Sequence, residues 1–230
     1  LSAEETANIN LREHSLDYHI KNEQDDNKLL NMIHVKGEYL FSMFEHKTGE
    51  EQFLKFISDY LYERKFQTTQ FHDFVDTLSS YSAMELRNEV ETWYTDSELP
   101  EYIIDFPDNY KVRKGDRELY QVIFRVSNQG GTDGIIDVNF QTGERRRRFG
   151  GPMASGYGND SEDSYLYHVP AGKTKEIGIL LYEKPNKINV NTLISGNIPS
   201  IISYPTEKFD ELKPDVKPFE GDTTLNKDLT

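Results

Sequence analysis

Cysteine is absent from the 230 residues, and with it go disulfide frameworks, thiolate metal sites and cysteine nucleophiles. Long apolar runs are missing too. No stretch approaches the ~20 residues that a membrane-spanning helix needs, and no positively charged start followed by an apolar run resembles a signal peptide. Positive charge is in deficit, with 26 basic against 40 acidic residues and a net charge of −14. Nucleic-acid binding rests on Lys and Arg displacing counterions from phosphates, so no nucleic-acid partner is expected. The absence with the most chemical content concerns histidine. The six histidines stand at 14, 19, 34, 46, 72 and 168, and none forms the helical His-Glu-x-x-His pair that sets two imidazoles on one face for zinc. His14 and His19 are five apart, which turns them to different faces of a helix, and they read as surface histidines near an untidy terminus. No metal or other cofactor is expected in this chain. Gly-rich phosphate loops, a nucleophile elbow and a redox pair are missing as well.

What remains is a globular composition, 36% hydrophobic and 12% aromatic, with 14 Tyr and 13 Phe. Residues 29 to 94 read as four helices. Leu29, Met32, Ile33, Gly37, Leu40 and Phe44 follow helical spacing and form a stripe expected to be buried. Thr48 with Glu51 reads as a capping box opening a second helix, along which Phe53, Leu54, Ile57, Tyr60 and Leu61 share a face. Thr69 is expected to cap a third through Phe71, Phe74, Val75 and Leu78, and Ser82 with Glu85 to box a fourth through Leu86, Val90 and Trp93. Each is too short to be stable alone, so they must pack on one another or on a neighbour.

Leu99-Pro100 ends the helical pattern, and from Tyr102 the period falls to two. Tyr102, Ile104 and Phe106 alternate, then Tyr120 to Val126, Ile136 to Phe140, Tyr165 to Val169 and Ile177 to Leu181, giving at least five strands. Turn signals at Pro107-Asp108-Asn109, Lys114-Gly115-Asp116, Gln129-Gly130-Gly131 and Pro170-Ala171-Gly172 separate them. The expected fold is α+β: a helical domain over residues 1–98, an antiparallel Ig-like β-sandwich over 99–204, and an extended tail or linker over 205–230, rich in charge around Pro205, Pro214 and Pro218. The stretch to Thr95 carries nine basic and eighteen acidic residues, a net of −9, so the helical part is no basic platform. Two charged segments stand out. Arg145 to Arg148 lie between glycines and read as a solvated loop or strand end, and Asn159 to Asp163 form an acidic loop without the ligand order of a calcium site.

One ordered series is more informative. His34-Val35-Lys36-Gly37-Glu38-Tyr39 opens a helix, Thr48-Gly49-Glu50-Glu51-Gln52-Phe53 opens the next, and Thr68-Thr69, His72-Asp73-Phe74 and Trp93 before Leu99-Pro100 continue it. This resembles the stretch just after the zinc site in aminopeptidase N-like (gluzincin) zinc metallopeptidases, in which a Tyr-x-Lys-Gly start is followed by a Gly-Glu-x-x-Phe helix. The resemblance runs from about Leu29 to Tyr102, and by domain order to about Tyr204. Asn197-Ile198-Pro199 is similar to the end of the sandwich that follows in that family.

The resemblance implies a C-terminal fragment: a longer parent would carry the metal segment in an upstream catalytic lobe, hold one zinc and act on peptide substrates. The chain starts at Leu1 rather than Met, and an upstream segment is expected. The compartment is left open by the sequence, and the resemblance is compatible with a membrane-attached or exported parent. At the position of the family's Tyr, implied to be an oxyanion donor, this chain has His34, the one candidate catalytic residue. Two other readings stand beside this one. A pseudoenzyme would have lost the Tyr to His34, and a non-catalytic protein- or glycan-binding module would use aromatic side chains around Tyr157, Tyr165 and Tyr167.

Overall fold

The computed structural model describes residues 1–114, 116–142, 164–206, 208–211 and 218–225. Arg145 to Arg148, Asn159 to Asp163, Tyr157 and Gly115 lie outside the described residues. The chain divides into two compact units, Leu1–Leu99 and Pro100–Thr230.

The first unit holds six helices: α1 Ala3–Glu13, α2 Leu16–Asn22, α3 Asp26–Thr48, α4 Glu50–Glu63, α5 Phe71–Ser82 and α6 Arg87–Thr95. The first two replace the untidy terminus expected there. Their start signals are local: Ser2 and Glu5 form a reciprocal capping box, and the Ser15 hydroxyl accepts from the Tyr18 amide at 3.3 Å. The caps expected further on are absent for a common reason. Thr48 and Ser82 are the last residues of α3 and α5, and their hydroxyls donate back to the carbonyls of Phe44 and Leu78, both at 2.8 Å. Gly49 at φ 85 makes the break before α4, a left-handed position that favours glycine. Gln70 rather than Thr69 precedes α5, and Leu86 precedes α6, neither with a side-chain cap.

Leu40, Phe44, Phe53, Phe56, Tyr60, Val75, Leu78, Leu86 and Val90 form one buried cluster drawn from α3 to α6, with Met43, Ile57, Phe74 and Trp93 packed on it. The stripes are narrower than periodicity suggests. On α3 the buried line is Met32, Val35, Lys36, Leu40 and Phe44, with Ile33 left exposed, and on α4 Leu54 and Leu61 face solvent while Phe56 turns inward.

The second unit is a sandwich of two sheets. One has the order β10-β6-β3-β2-β9 with β1 also paired to β3, the other β5-β4-β7-β8. The strands are β1 Tyr102–Ile104, β2 Asp108–Lys114, β3 Arg117–Asn128, β4 Gly134–Thr142, β5 Ser164–Val169, β6 Thr174–Leu181, β7 Pro185–Asn191, β8 Ile201–Pro205, β9 Asp210–Glu211 and β10 Gly221–Leu225. Alternate residues of both sheets, among them Val122, Phe124, Ile136, Val138, Phe140, Ile177, Ile179, Ile188 and Val190, close the core between them. Among the described residues every strand pairing is antiparallel except β2 with β9. The fold is thus α+β, helices followed by a β-sandwich.

Three expectations need correction. Asp108 begins β2 rather than completing a turn, and β1 stops at Ile104, leaving Phe106 exposed with its ring edge-on to Tyr204 at 5.5 Å. The segment after Tyr204 is not only a strap: β9 and β10 extend the first sheet at its two edges, and the buried Gln121 amide donates to the Phe219 carbonyl. Tyr165 and Tyr167 belong to β5 and pack half-buried on the sandwich core, which removes two of the three aromatics the binding-module reading relied on. Asn197 does close the sandwich locally. Its side chain accepts from the Tyr102 amide and donates to the Tyr102 carbonyl, both at 2.8 Å, doing for β1 what a neighbouring strand would.

Candidate functional site

Helix α3 begins where Asp25 accepts from the amides of Asn27 and Lys28, and it runs for 23 residues, long enough to carry the whole His34-to-Tyr39 motif well inside its ends. His34 is exposed. On a helical wheel it shares a face with Leu30, Ile33, Gly37 and Phe41, and the three apolar members of that face are 61%, 40% and 40% exposed respectively. A Cβ built at Gly37 meets nothing within 4 Å, so packing among the described residues does not demand a glycine.

The opposite side of the motif is tied down. Lys36 is only 4% exposed, and its Nζ donates to the carbonyls of Trp93 at 2.7 Å and Asp96 at 3.3 Å. Trp93 answers by donating its indole Nε1–H to the Lys36 carbonyl at 2.6 Å. Helix α6 ends at Thr95, so these acceptors belong to its last turn, where carbonyls lack intrahelical partners and the helix dipole favours a cation. A single side chain therefore caps α6 and anchors α3. Lys36 and Trp93 belong to one sequence pattern, but nothing in a pattern signals a clasp between residues 57 apart.

Burial is costly for an ammonium. It pushes Lys36 down from 10.5 to about 8, with the nearby Asp96 carboxylate opposing the shift. Because the folded value lies below the unfolded one, the unfolded chain holds the proton more tightly between pH 8 and 10.5, and folding is favoured as pH rises through that window. We expect the stability of the helical unit, measured by urea melts against Lys36→Met, to rise by about 2 kcal/mol from pH 7 to 9.5. A pH-independent difference between the two proteins would contradict the assignment.

The other histidines are scattered: His46 sits in the last turn of α3, and His72 in the first turn of α5, where it lines a cavity together with Ile33 of α3. His19 is buried rather than at the surface, its Nε2 3.0 Å from the Asn10 carbonyl, and His14 stacks on Tyr18 at 4.0 Å. The two do not diverge on one helix as their spacing suggests: His14 caps the end of α1, His19 belongs to α2, and their rings stand 6.0 Å apart. His168 pairs with Asp133 at 3.1 Å in the sandwich. Among the described residues no three His, Asp or Glu side chains are placed to hold a metal ion, and none of their helices is long and apolar enough to cross a membrane.

Residues 2–93 match the family model described as the peptidase family M1 domain. This is the helical unit almost end to end, and it includes the motif series from His34 to Trp93. No curated protein matches the chain. Among solved structures, the crystal structure of Legionella pneumophila aminopeptidase A in complex with aspartic acid is similar over 68% of this chain, at 16% identity and a TM-score of 0.30. The chain spans 16% of that protein's length. A likeness that loose carries no argument, whereas the family match makes the helical unit peptidase-like.

Proposed function

We propose that this chain is the C-terminal portion of a zinc aminopeptidase-like protein, non-catalytic by itself, whose helical unit supports the peptidase active site of a longer parent. One observation carries the reading: the segment that matches the peptidase family M1 model contains the helix on which His34 stands exposed, at the position where the resembling family has its Tyr. The described residues do not fit the family's zinc. That metal needs three protein ligands converging on one point, and among the described residues no three His, Asp or Glu side chains do so, His14 and His19 at 6.0 Å being a pair without a third. No chemical step is therefore assigned to a metal here.

What the chain's own residues contribute is position and a donor. The Lys36–Trp93 clasp holds α3 against the end of α6, which fixes the face that carries His34. An imidazole N–H at that place can donate a hydrogen bond to an oxyanion developing on a peptide carbonyl. The partner in this reading is the upstream catalytic lobe, and the substrate is a peptide bound by the parent.

The test uses the chain as it stands. Calorimetric titration with zinc is expected to show no stoichiometric site, and aminoacyl reporter substrates are expected to remain uncleaved. A one-to-one site of sub-micromolar affinity, or turnover abolished by chelation, would overturn the assignment.

A further inference from the structure

Within the helical unit α2, α3, α5 and α6 enclose an open cavity of about 600 Å³, in the size range of small-molecule sites. Its walls are largely apolar, with Ile20, Ile33, Phe71, Val75 and Trp93 among the lining residues. Phe71 and Trp93 stand with ring centroids 6.3 Å apart and planes tilted by 39°, so aromatic surface lines one side. Ile20, Ile33 and Phe71 are each 40% exposed or slightly more, which leaves a substantial apolar lining open to solvent.

Charge at the rim decides what kind of molecule fits. Arg87 and His72 line the cavity on the side of Asp76, which attracts both, and the Arg87 guanidinium is engaged at two points by that carboxylate, with Nε 3.1 Å from Oδ1, so its charge is matched. Glu91 also lines the cavity and makes no ion pair among the described residues. The surrounding unit carries a net of −9 up to Thr95. A cavity with aromatic walls and one unmatched carboxylate favours an apolar body with a cationic head, since ring faces and carboxylate both attract a cation and both disfavour an anion.

The geometry points to a binding site for hydrophobic organic cations, alkyl- or arylammonium groups, with the apolar body between Ile33, Phe71 and Trp93 and the ammonium toward Glu91. This site is separate from the exposed ring of His34, which does not line the cavity, and it does not depend on the peptidase reading.

Trp93 is the only tryptophan in the chain, so its fluorescence reports directly on occupancy. The chain would be titrated with 4-phenylbutylammonium, 4-phenylbutanol and 4-phenylbutyrate at pH 7. The expected result is a saturable change with the ammonium, at a midpoint at least tenfold below that of the alcohol, and no saturation with the carboxylate. Glu91 is exposed, so Glu91→Gln should fold normally by circular dichroism and should bring the ammonium midpoint to that of the alcohol. Failure of the ammonium to saturate at millimolar concentration, equal midpoints for all three probes, or a midpoint unmoved by Glu91→Gln would each overturn the proposal.

Discussion

Phe44→Ala should lower the stability of the helical unit by about 3–5 kcal/mol, the cost of deleting a large buried ring and leaving a cavity. Phe44 is fully buried at 0% exposure, in the cluster where α3 meets α4, α5 and α6, and its ring stands 6.2 Å from that of Phe41 and 6.5 Å from that of Phe74. Domains of this size are stable by only about 5–15 kcal/mol, so such a loss would leave much of the unit unfolded at moderate temperature. The neighbouring Phe41 is 40% exposed, and Phe41→Ala should cost distinctly less because part of its ring already faces water. Urea denaturation followed by Trp93 fluorescence separates the two variants. A loss below about 1 kcal/mol for Phe44→Ala would mean that the four helices do not share one core.

Much of the architecture was legible because burial on one face leaves a period. The strands around Val122 to Val126, Ile136 to Phe140 and Ile177 to Leu181 fill the sandwich core, and their alternation is plain in the residues. β10 was missed for the converse reason. At the edge of its sheet the segment Gly-Asp-Thr-Thr-Leu is exposed along almost all its length, so nothing selects apolar residues at alternate positions. β2 is similar, since Val112 is its one fully buried side chain among those described and the Pro-Asp-Asn before it reads as a turn. Helix starts fared worse than helix interiors. A hydroxyl at Thr48 or Ser82 can bond either forward to an amide or back to a carbonyl, and spacing alone does not distinguish a first residue from a last one.

At the candidate site the motif series from His34 to Trp93 was readable and coincides with the family match to residues 2–93. The packing of that series was not. Lys36 has the look of a surface lysine on an amphipathic helix, and only the position of the α6 carbonyls explains why a charged group is buried there. The inward turn of the clasp also accounts for the outward turn of His34: two residues along a helix differ by about 200°, so fixing Lys36 inward leaves His34 outward.

The central claim, that the exposed face of α3 serves a peptidase site in a longer protein, stands or falls most directly on His34. In a longer parent that retains the zinc ligands, as proposed, His34→Ala should lower kcat by about 10²-fold or more with little change in KM, because an oxyanion donor acts in the transition state rather than on bound substrate. His34→Tyr, which restores the residue that the resembling family carries, should keep most of the activity. Neither variant should alter the urea midpoint of the helical unit, since the His34 ring is exposed. Turnover unchanged in His34→Ala, or a loss of turnover matched by a loss of stability, would contradict the account.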